Sequence, residues 1–185
     1  MTSSENQRVI LAARPKGVPG PEFFSLETVV TPQPGDGEFL IHNQFLSVEP
    51  AMRGWVNDAP NYSPPVPVGD VMRAFAVGKI VKSNNPDFRE GEIVSGLFGW
   101  QRYAISDGSS VVTRMADIDK PPSYALGILG LNGITAYCGL IYQGEPKPDE
   151  TVVVSTAAGS VGSCVGQIAK IKGCRTVGIT GGPAK

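Results

Sequence analysis

Thr151-Val-Val-Val-Ser155, Ala157-Ala-Gly-Ser-Val-Gly162 and the apolar periodicity of residues 161–172 put a glycine-bearing turn between a short strand and a helix. Arg175-Thr-Val-Gly-Ile179 reads as a second strand. Small residues in such a turn leave backbone N–H groups and the positive end of a helix open to an anion, and a pyrophosphate suits that geometry. The chemistry expected of these residues is therefore binding of a nicotinamide dinucleotide. The motif alone is moderately specific: Ala157 stands where the fingerprint has its first glycine, and glycine-rich loops also serve merely as tight turns.

The residues after the second strand bear on which dinucleotide. An NAD site places Asp or Glu about 20 residues past the fingerprint to hold the ribose 2′-hydroxyl. Here the chain reads Thr180-Gly-Gly-Pro-Ala-Lys185, with no acid. Gly181 and Gly182 clear room for a phosphate and Lys185 supplies its counter-charge, so NADP(H) is expected over NAD(H).

The elements that must position this turn fall into two textures. Residues 7–14, 23–30, 38–48, 72–82, 92–97, 100–106 and 110–114 read as strands separated by Gly, Pro, Asn and Asp clusters, and many short strands with glycine bends predict a small closed or partly closed barrel. Residues 50–55 look like one helical turn, and the proline-rich loop 57–69 that follows could border a pocket. After Pro122 the apolar spacing turns helical over 123–129 and 133–142, and 145–149 is a linker before the strand at Thr151. The predicted fold is mixed α and β, with a domain boundary near Pro122: a barrel over 1–122 and the beginning of a doubly wound nucleotide-binding domain over 123–185. Such a domain needs around six parallel strands covered on both faces, and two strands with one crossover helix fall short of that. The chain is therefore expected to be a truncated piece of a longer protein.

Composition limits the alternatives. The 185 residues carry 41% hydrophobic and 18% charged side chains, which suits a folded core. A net charge of −1 without a basic stripe argues against nucleic acid as a partner. No apolar run approaches the roughly 18 residues of a membrane span, and the Met1-Thr-Ser-Ser-Glu-Asn start lacks the regions of a signal peptide, so a cytoplasmic location and no membrane partner are expected. Cys138, Cys164 and Cys174 have no metal or disulfide spacing, and two of them lie in helix-like stretches that suit a small buried thiol. The single histidine, His42, sits in a strand pattern, where a structural or exposed role is the ordinary one.

Asn43-Gln-Phe-Leu-Ser-Val-Glu-Pro-Ala-Met-Arg53, Gly130-Leu-Asn-Gly-Ile-Thr-Ala-Tyr137, the turn 157–162 and Val165-Gly-Gln-Ile-Ala-Lys-Ile-Lys-Gly173 occur in that order. Together they resemble the zinc-independent medium-chain dehydrogenase/reductases, and within them the NADP-dependent alkenal, or prostaglandin and leukotriene, double-bond reductases. The resemblance covers nearly the whole chain. It implies a GroES-like barrel followed by a Rossmann domain in a protein roughly twice as long, a homodimer when whole. The zinc enzymes of that superfamily need cysteine at their metals, whereas this chain has none before Cys138 and reads Ser47-Val-Glu-Pro50 at the corresponding place, so no metal is expected.

Carried over residue by residue, the likeness points Gly159, Ser160, Val161 and Gly162 at the pyrophosphate and Lys185 at the 2′-phosphate. Leu131 and Thr135 match a segment near the nicotinamide, although the Thr135 methyl could simply pack. Pro50, Ala51 and Met52 match the barrel segment facing nicotinamide and substrate, and Ala51 replaces a tyrosine of several relatives. Trp55, Trp100 and Tyr62 either line a pocket or fill the barrel, with core the expectation for Trp100. Glu49 and Arg53, four apart, are expected only to pair with each other.

The activity implied is NADPH-dependent reduction of the carbon–carbon double bond of an α,β-unsaturated ketone or aldehyde. No residue of this chain is a convincing catalytic acid; the likeness supplies the donor as a cofactor ribose hydroxyl and a tyrosine from the part not in this sequence. Quinone reduction with the same cofactor is the alternative enzymatic reading. A non-catalytic fragment, a barrel with a partial nucleotide domain, is the alternative of another class.

Overall fold

The computed structural model describes residues 4–59, 61–115 and 118–182. The chain forms two compact units, Met1–Ser123 and Tyr124–Lys185.

The first unit is antiparallel throughout. Strands β1 (Glu5–Leu11) and β2 (Phe24–Val30) form a hairpin. A five-stranded sheet runs in the order β6-β3-β4-β5-β7, made of β3 (Phe39–Leu46), β4 (Ala76–Ser83), β5 (Ile93–Gly96), β6 (Tyr103–Ser106) and β7 (Val111–Arg114). The barrel is partly closed: β1 is tied to other segments by isolated bridges, Arg8 to Gln101 and Ile10 to Val71, instead of a continuous ladder. The Asn6 side chain does the work of a strand there. Its Nδ2 donates to the Tyr103 carbonyl (2.9 Å) and its Oδ1 accepts from the Tyr103 N–H (2.9 Å), and Asn6 is 2% exposed. One amide thus replaces two ladder bonds that would otherwise leave buried polar groups unpaired.

Two clusters of buried side chains fill the unit. Leu11, Met52, Trp55, Val56, Val66 and Met72 meet in one, and Phe39, Ile41, Ile80, Val94 and Phe98 in the other. Each fully buried large side chain contributes about 1.5–3 kcal/mol. Trp100 packs beside the first cluster, its ring 5.8 Å from Phe24, and donates through Nε1 to the Ser47 carbonyl (2.9 Å). His42 stacks on Tyr103, its cross-strand neighbour in the β3–β6 register, with ring centroids 4.7 Å apart.

Several sequence expectations need correction. The strand expected over 72–82 begins only at Ala76, because the segment before it turns to bond with β1: the Met72 N–H donates to the Val9 carbonyl (2.8 Å). The strand expected over 100–106 begins at Tyr103, since Trp100 and Gln101 are engaged in the bridge to β1. Residues 123–129 are not an α-helix: a 3-10 turn covers Pro122–Leu126, and Gly127 and Gly130 end it before a second helical turn can form. Helix α2 starts at Leu131, runs to Tyr137 and continues as a π-helical turn over Cys138–Gly144. Cys138 is exposed in this chain, while Cys164 and Cys174 are buried. Nor do Glu49 and Arg53 pair. Glu49 accepts from Ser47 Oγ (2.8 Å), and Arg53 donates to Asn57 Oδ1 and to the Gly17 carbonyl.

The second unit holds α2, β8 (Thr151–Ser155), helix α3 (Ser160–Ile171) and β9 (Arg175–Ile179). Strands β8 and β9 are parallel, in register from Thr151 with Arg175 to Ser155 with Ile179, with α3 as their crossover. Leu140, Ala169 and Cys174 make its small core. Among the described residues no helix is long and apolar enough to cross a membrane.

Candidate functional site

At the end of β8 the chain leaves the strand through Thr156, whose φ of +55° puts a β-branched residue in the left-handed region. The Thr156 carbonyl accepts from the Gly159 N–H (2.8 Å), the Ala157 N–H donates to the Ile179 carbonyl (3.0 Å), and α3 begins at once, with Gly159 as its N-cap. The carboxyl ends of β8 and β9 and this turn border a cleft of about 800 Å³ lined by Ser155, Thr156, Ala158, Gly159, Ile179, Thr180 and Gly181. Parallel sheets bind ligands outside the carboxyl ends of their strands.

Two glycines shape the cradle. A Cβ on Gly162 would overlap the Thr156 carbonyl and stand 3.0 Å from the Ala157 Cα, so only glycine lets α3 lie this close to the turn. On Gly159 it would lie 3.1 Å from the Thr156 oxygen and 3.2 Å from its Cγ2. The first turn of α3 places the N–H groups of Ser160, Val161 and Gly162 where a helix has no internal acceptor for them, and no side chain caps them. Together with the helix dipole, that arrangement favours a bound anion. A dinucleotide pyrophosphate fits it.

Gly181 and Gly182 follow β9 with open space around them, and Gly182 has a φ of +148°. The described residues after β9, Thr180 to Gly182, include no acid. Lys185 lies outside the described residues. On α2, Leu131 and Thr135 are one turn apart and both exposed, so Thr135 does not pack its methyl into the core.

In the first unit, helix α1 (Ala51–Trp55) follows Pro50, its exposed N-cap. Met52 and Trp55 are buried in the core, Ala51 packs on its flank, and Tyr62 is 79% exposed in the proline-rich loop. The structure therefore gathers Pro50, Ala51, Met52 and Trp55 on one short helix, with two of those side chains turned into the core and Tyr62 turned out. Among the described residues, no group of three or more His, Cys, Asp or Glu converges on a point.

Sequence reasoning missed Ser155, Thr156, Ala158, Ile179 and Thr180 as cleft residues. Their position flanking the turn was the available signal. The left-handed backbone at Thr156 had none, because β-branched residues rarely adopt it.

Comparison with known proteins identifies the family. Residues 7–113, more than half of the chain, match the family described as the N-terminal domain of oxidoreductase. The chain is 49% identical over 180 residues to "NADPH-dependent curcumin reductase" of Escherichia coli (strain K12), covering 97% of this chain and 52% of that relative. It is 41% identical over 171 residues to "Prostaglandin reductase 1" of Sus scrofa, covering 91% and 50%. The solved structure of CurA in complex with NADPH from Vibrio vulnificus superimposes with a TM-score of 0.85 at 45% identity, over 96% of this chain and 52% of that one. The chain spans about half the length of the curated relatives it matches. By its matched N-terminal oxidoreductase domain and these relatives, the chain belongs to the zinc-independent medium-chain dehydrogenase/reductases, in the branch of the alkenal and prostaglandin reductases.

Proposed function

We propose that the whole protein is an NADPH-dependent oxidoreductase that reduces the carbon–carbon double bond of α,β-unsaturated ketones or aldehydes. The observation that carries this reading is the uncapped first turn of α3, packed through Gly162 onto the strained Thr156 at the mouth of the cleft, in a chain whose relatives are named as NADPH-dependent reductases. When bound, the reduced nicotinamide supplies a hydride for the β-carbon of the conjugated carbonyl, and negative charge gathers on the carbonyl oxygen.

The residues of this chain bind and orient. The backbone N–H groups of Ser160, Val161 and Gly162 hold the pyrophosphate, with Gly159 leaving its approach clear. Gly181 and Gly182 give room to the 2′-phosphate and Lys185 answers its charge. Leu131 and Thr135 take the nicotinamide side. Pro50 and Ala51 face nicotinamide and substrate, Met52 and Trp55 back them from the core, and Tyr62 shapes the rim of the substrate pocket. Excluding water is the other task of these apolar groups, since stabilisation of the developing oxyanion is strongest in a dry site. The same reading makes the protein cytoplasmic and a homodimer through its nucleotide-binding domain.

Titration of the whole protein with NADPH and NADH tests the reading. Tighter binding of NADPH, lost when Gly162 is replaced, supports it; tighter binding of NADH contradicts it.

A further inference from the structure

The proline-rich loop 57–69 is fastened to α1 at four places. The Asn57 N–H donates to the Gly54 carbonyl (3.2 Å), and the Asn61 side-chain amide lies over Gly54 so closely that a Cβ there would overlap it. The Val66 N–H donates to the Trp55 carbonyl (2.8 Å), with the Val66 side chain 2% exposed in the core. Arg73 supplies the fourth fastening. Its Nη1 donates to Ser63 Oγ (2.8 Å) and to the Pro64 carbonyl (2.7 Å), and its Cζ lies over the Trp55 ring, 5.5 Å from the centroid.

Arg73 is the one of these fastenings that holds two things at once. Trp55 is 5% exposed and its Nε1 is buried with no hydrogen-bond partner among the described residues, so the ring is kept in place by packing and by the cation on its face. The same guanidinium grips the loop one residue beyond Tyr62, which is 79% exposed and donates its N–H to the side chain of its neighbour Asn61 (2.8 Å). A guanidinium suits this task, because one of its nitrogens donates to both the hydroxyl and the carbonyl while the planar group lies over an aromatic ring, a stacking that an ammonium lacks.

We propose that Arg73 is a positioning residue for the substrate side of the site: it locks the proline-rich loop onto Trp55 of α1 and thereby fixes Tyr62 at the rim that selects the substrate. The inference rests on the double-bond reductase reading and goes beyond it in naming the residue that sets the pocket's shape without touching substrate or cofactor.

The test uses the whole protein with Arg73→Ala, Arg73→Lys and Ser63→Ala, and two readouts. One is the rate of chymotrypsin cleavage at the Tyr62–Ser63 bond; the other is the kinetics of enone reduction beside NADPH affinity. With Arg73→Ala, cleavage speeds up and KM for the enone rises roughly 5- to 10-fold, while kcat and the NADPH Kd stay within about twofold. Arg73→Lys restores part of the loss and Ser63→Ala causes a smaller one. Unchanged cleavage overturns the clamp, and faster cleavage with an unchanged KM overturns its bearing on substrate. A parallel loss of NADPH affinity shows a general structural role and overturns the proposal as well. If the unaltered protein reduces no enone, the reductase reading and the substrate role of Arg73 both fail, and the cleavage rates alone decide whether the clamp exists.

Discussion

Along β3 the side chains of Phe39, Leu40 and Ile41 are at most 1% exposed, whereas every residue of β9 is exposed. The first unit builds a core of its own from contacts between distant residues. Asn6 reaches across 97 positions to Tyr103, and Trp100 across 53 to Ser47. The second unit has a parallel pair with one crossover helix, and parallel sheets ordinarily bury both faces. Yet its glycine turn is formed by short-range geometry, as in the Gly159 bond to Thr156, with one longer tie from Ala157 to Ile179 of the adjacent strand. An anion cradle needs local backbone geometry; a substrate pocket needs a folded barrel around it.

Four substitutions or titrations break or sharpen that contrast. The largest effect is expected for Asn6→Ala, which removes both bonds to Tyr103 and leaves a buried N–H and carbonyl unpaired. Leaving two buried groups unsatisfied costs about 2–6 kcal/mol. Urea denaturation of the whole protein should show that loss in the barrel transition, with NADPH affinity unchanged; a fall in affinity of equal size would mean that the two units are not separable in this way.

Gly162→Val attacks the other side of the comparison. Overpacking costs about 1–3 kcal/mol, and expressed on the bound state that is roughly a 5- to 150-fold loss of NADPH affinity. Fluorescence titration reads it, and the barrel transition should stay where it is.

Thr156→Gly has a smaller net effect, set by two opposing ones. Relief of the left-handed backbone is worth about 1–2 kcal/mol, offset by about 0.4–1 kcal/mol for the freer unfolded chain. A slight gain in stability of the second unit is the expected outcome by hydrogen exchange, accompanied by weaker NADPH binding as the turn loosens. A clear destabilisation would mean that the strain at Thr156 is compensated by contacts of its side chain.

The smallest effect is one of pH. Asp107 accepts from Ser109 Oγ (2.7 Å) and from the Ser109 N–H (2.9 Å), and these bonds, the hydroxyl first, hold its carboxyl below its ordinary value. A depressed carboxylate contributes stability that is present above its unfolded value, about 3.9, and is lost as the pH falls through the folded one. NMR titration should give Asp107 a midpoint below that of an unbonded aspartate, and a midpoint at or above it contradicts the arrangement.

What could be read from residues alone follows the same division. β8, α3 and β9 were legible because their apolar runs, the glycines of the turn and the crossover periodicity are neighbours in sequence. The barrel strands were legible as a set, from their punctuation by glycine and proline, but their ends were not. The beginnings of β4 and β6 are decided by β1, which lies far away in the chain and draws Met72 and Gln101 out of the ladders. The 3-10 turn at Pro122–Leu126 shows the opposite failure, a helical apolar spacing overruled by two glycines. Arg73 was illegible for the reason that β4 was misjudged: nothing local connects it to Trp55 or Ser63, and only the folded loop brings them together.

The central claim is that the whole protein reduces a conjugated carbon–carbon double bond at the expense of NADPH. The most direct measurement is NMR analysis of the product formed from an enone and NADPH by the whole protein. The account predicts the saturated ketone, with the carbonyl intact and the double bond gone. An allylic alcohol, in which the double bond survives and the carbonyl is reduced, would contradict it.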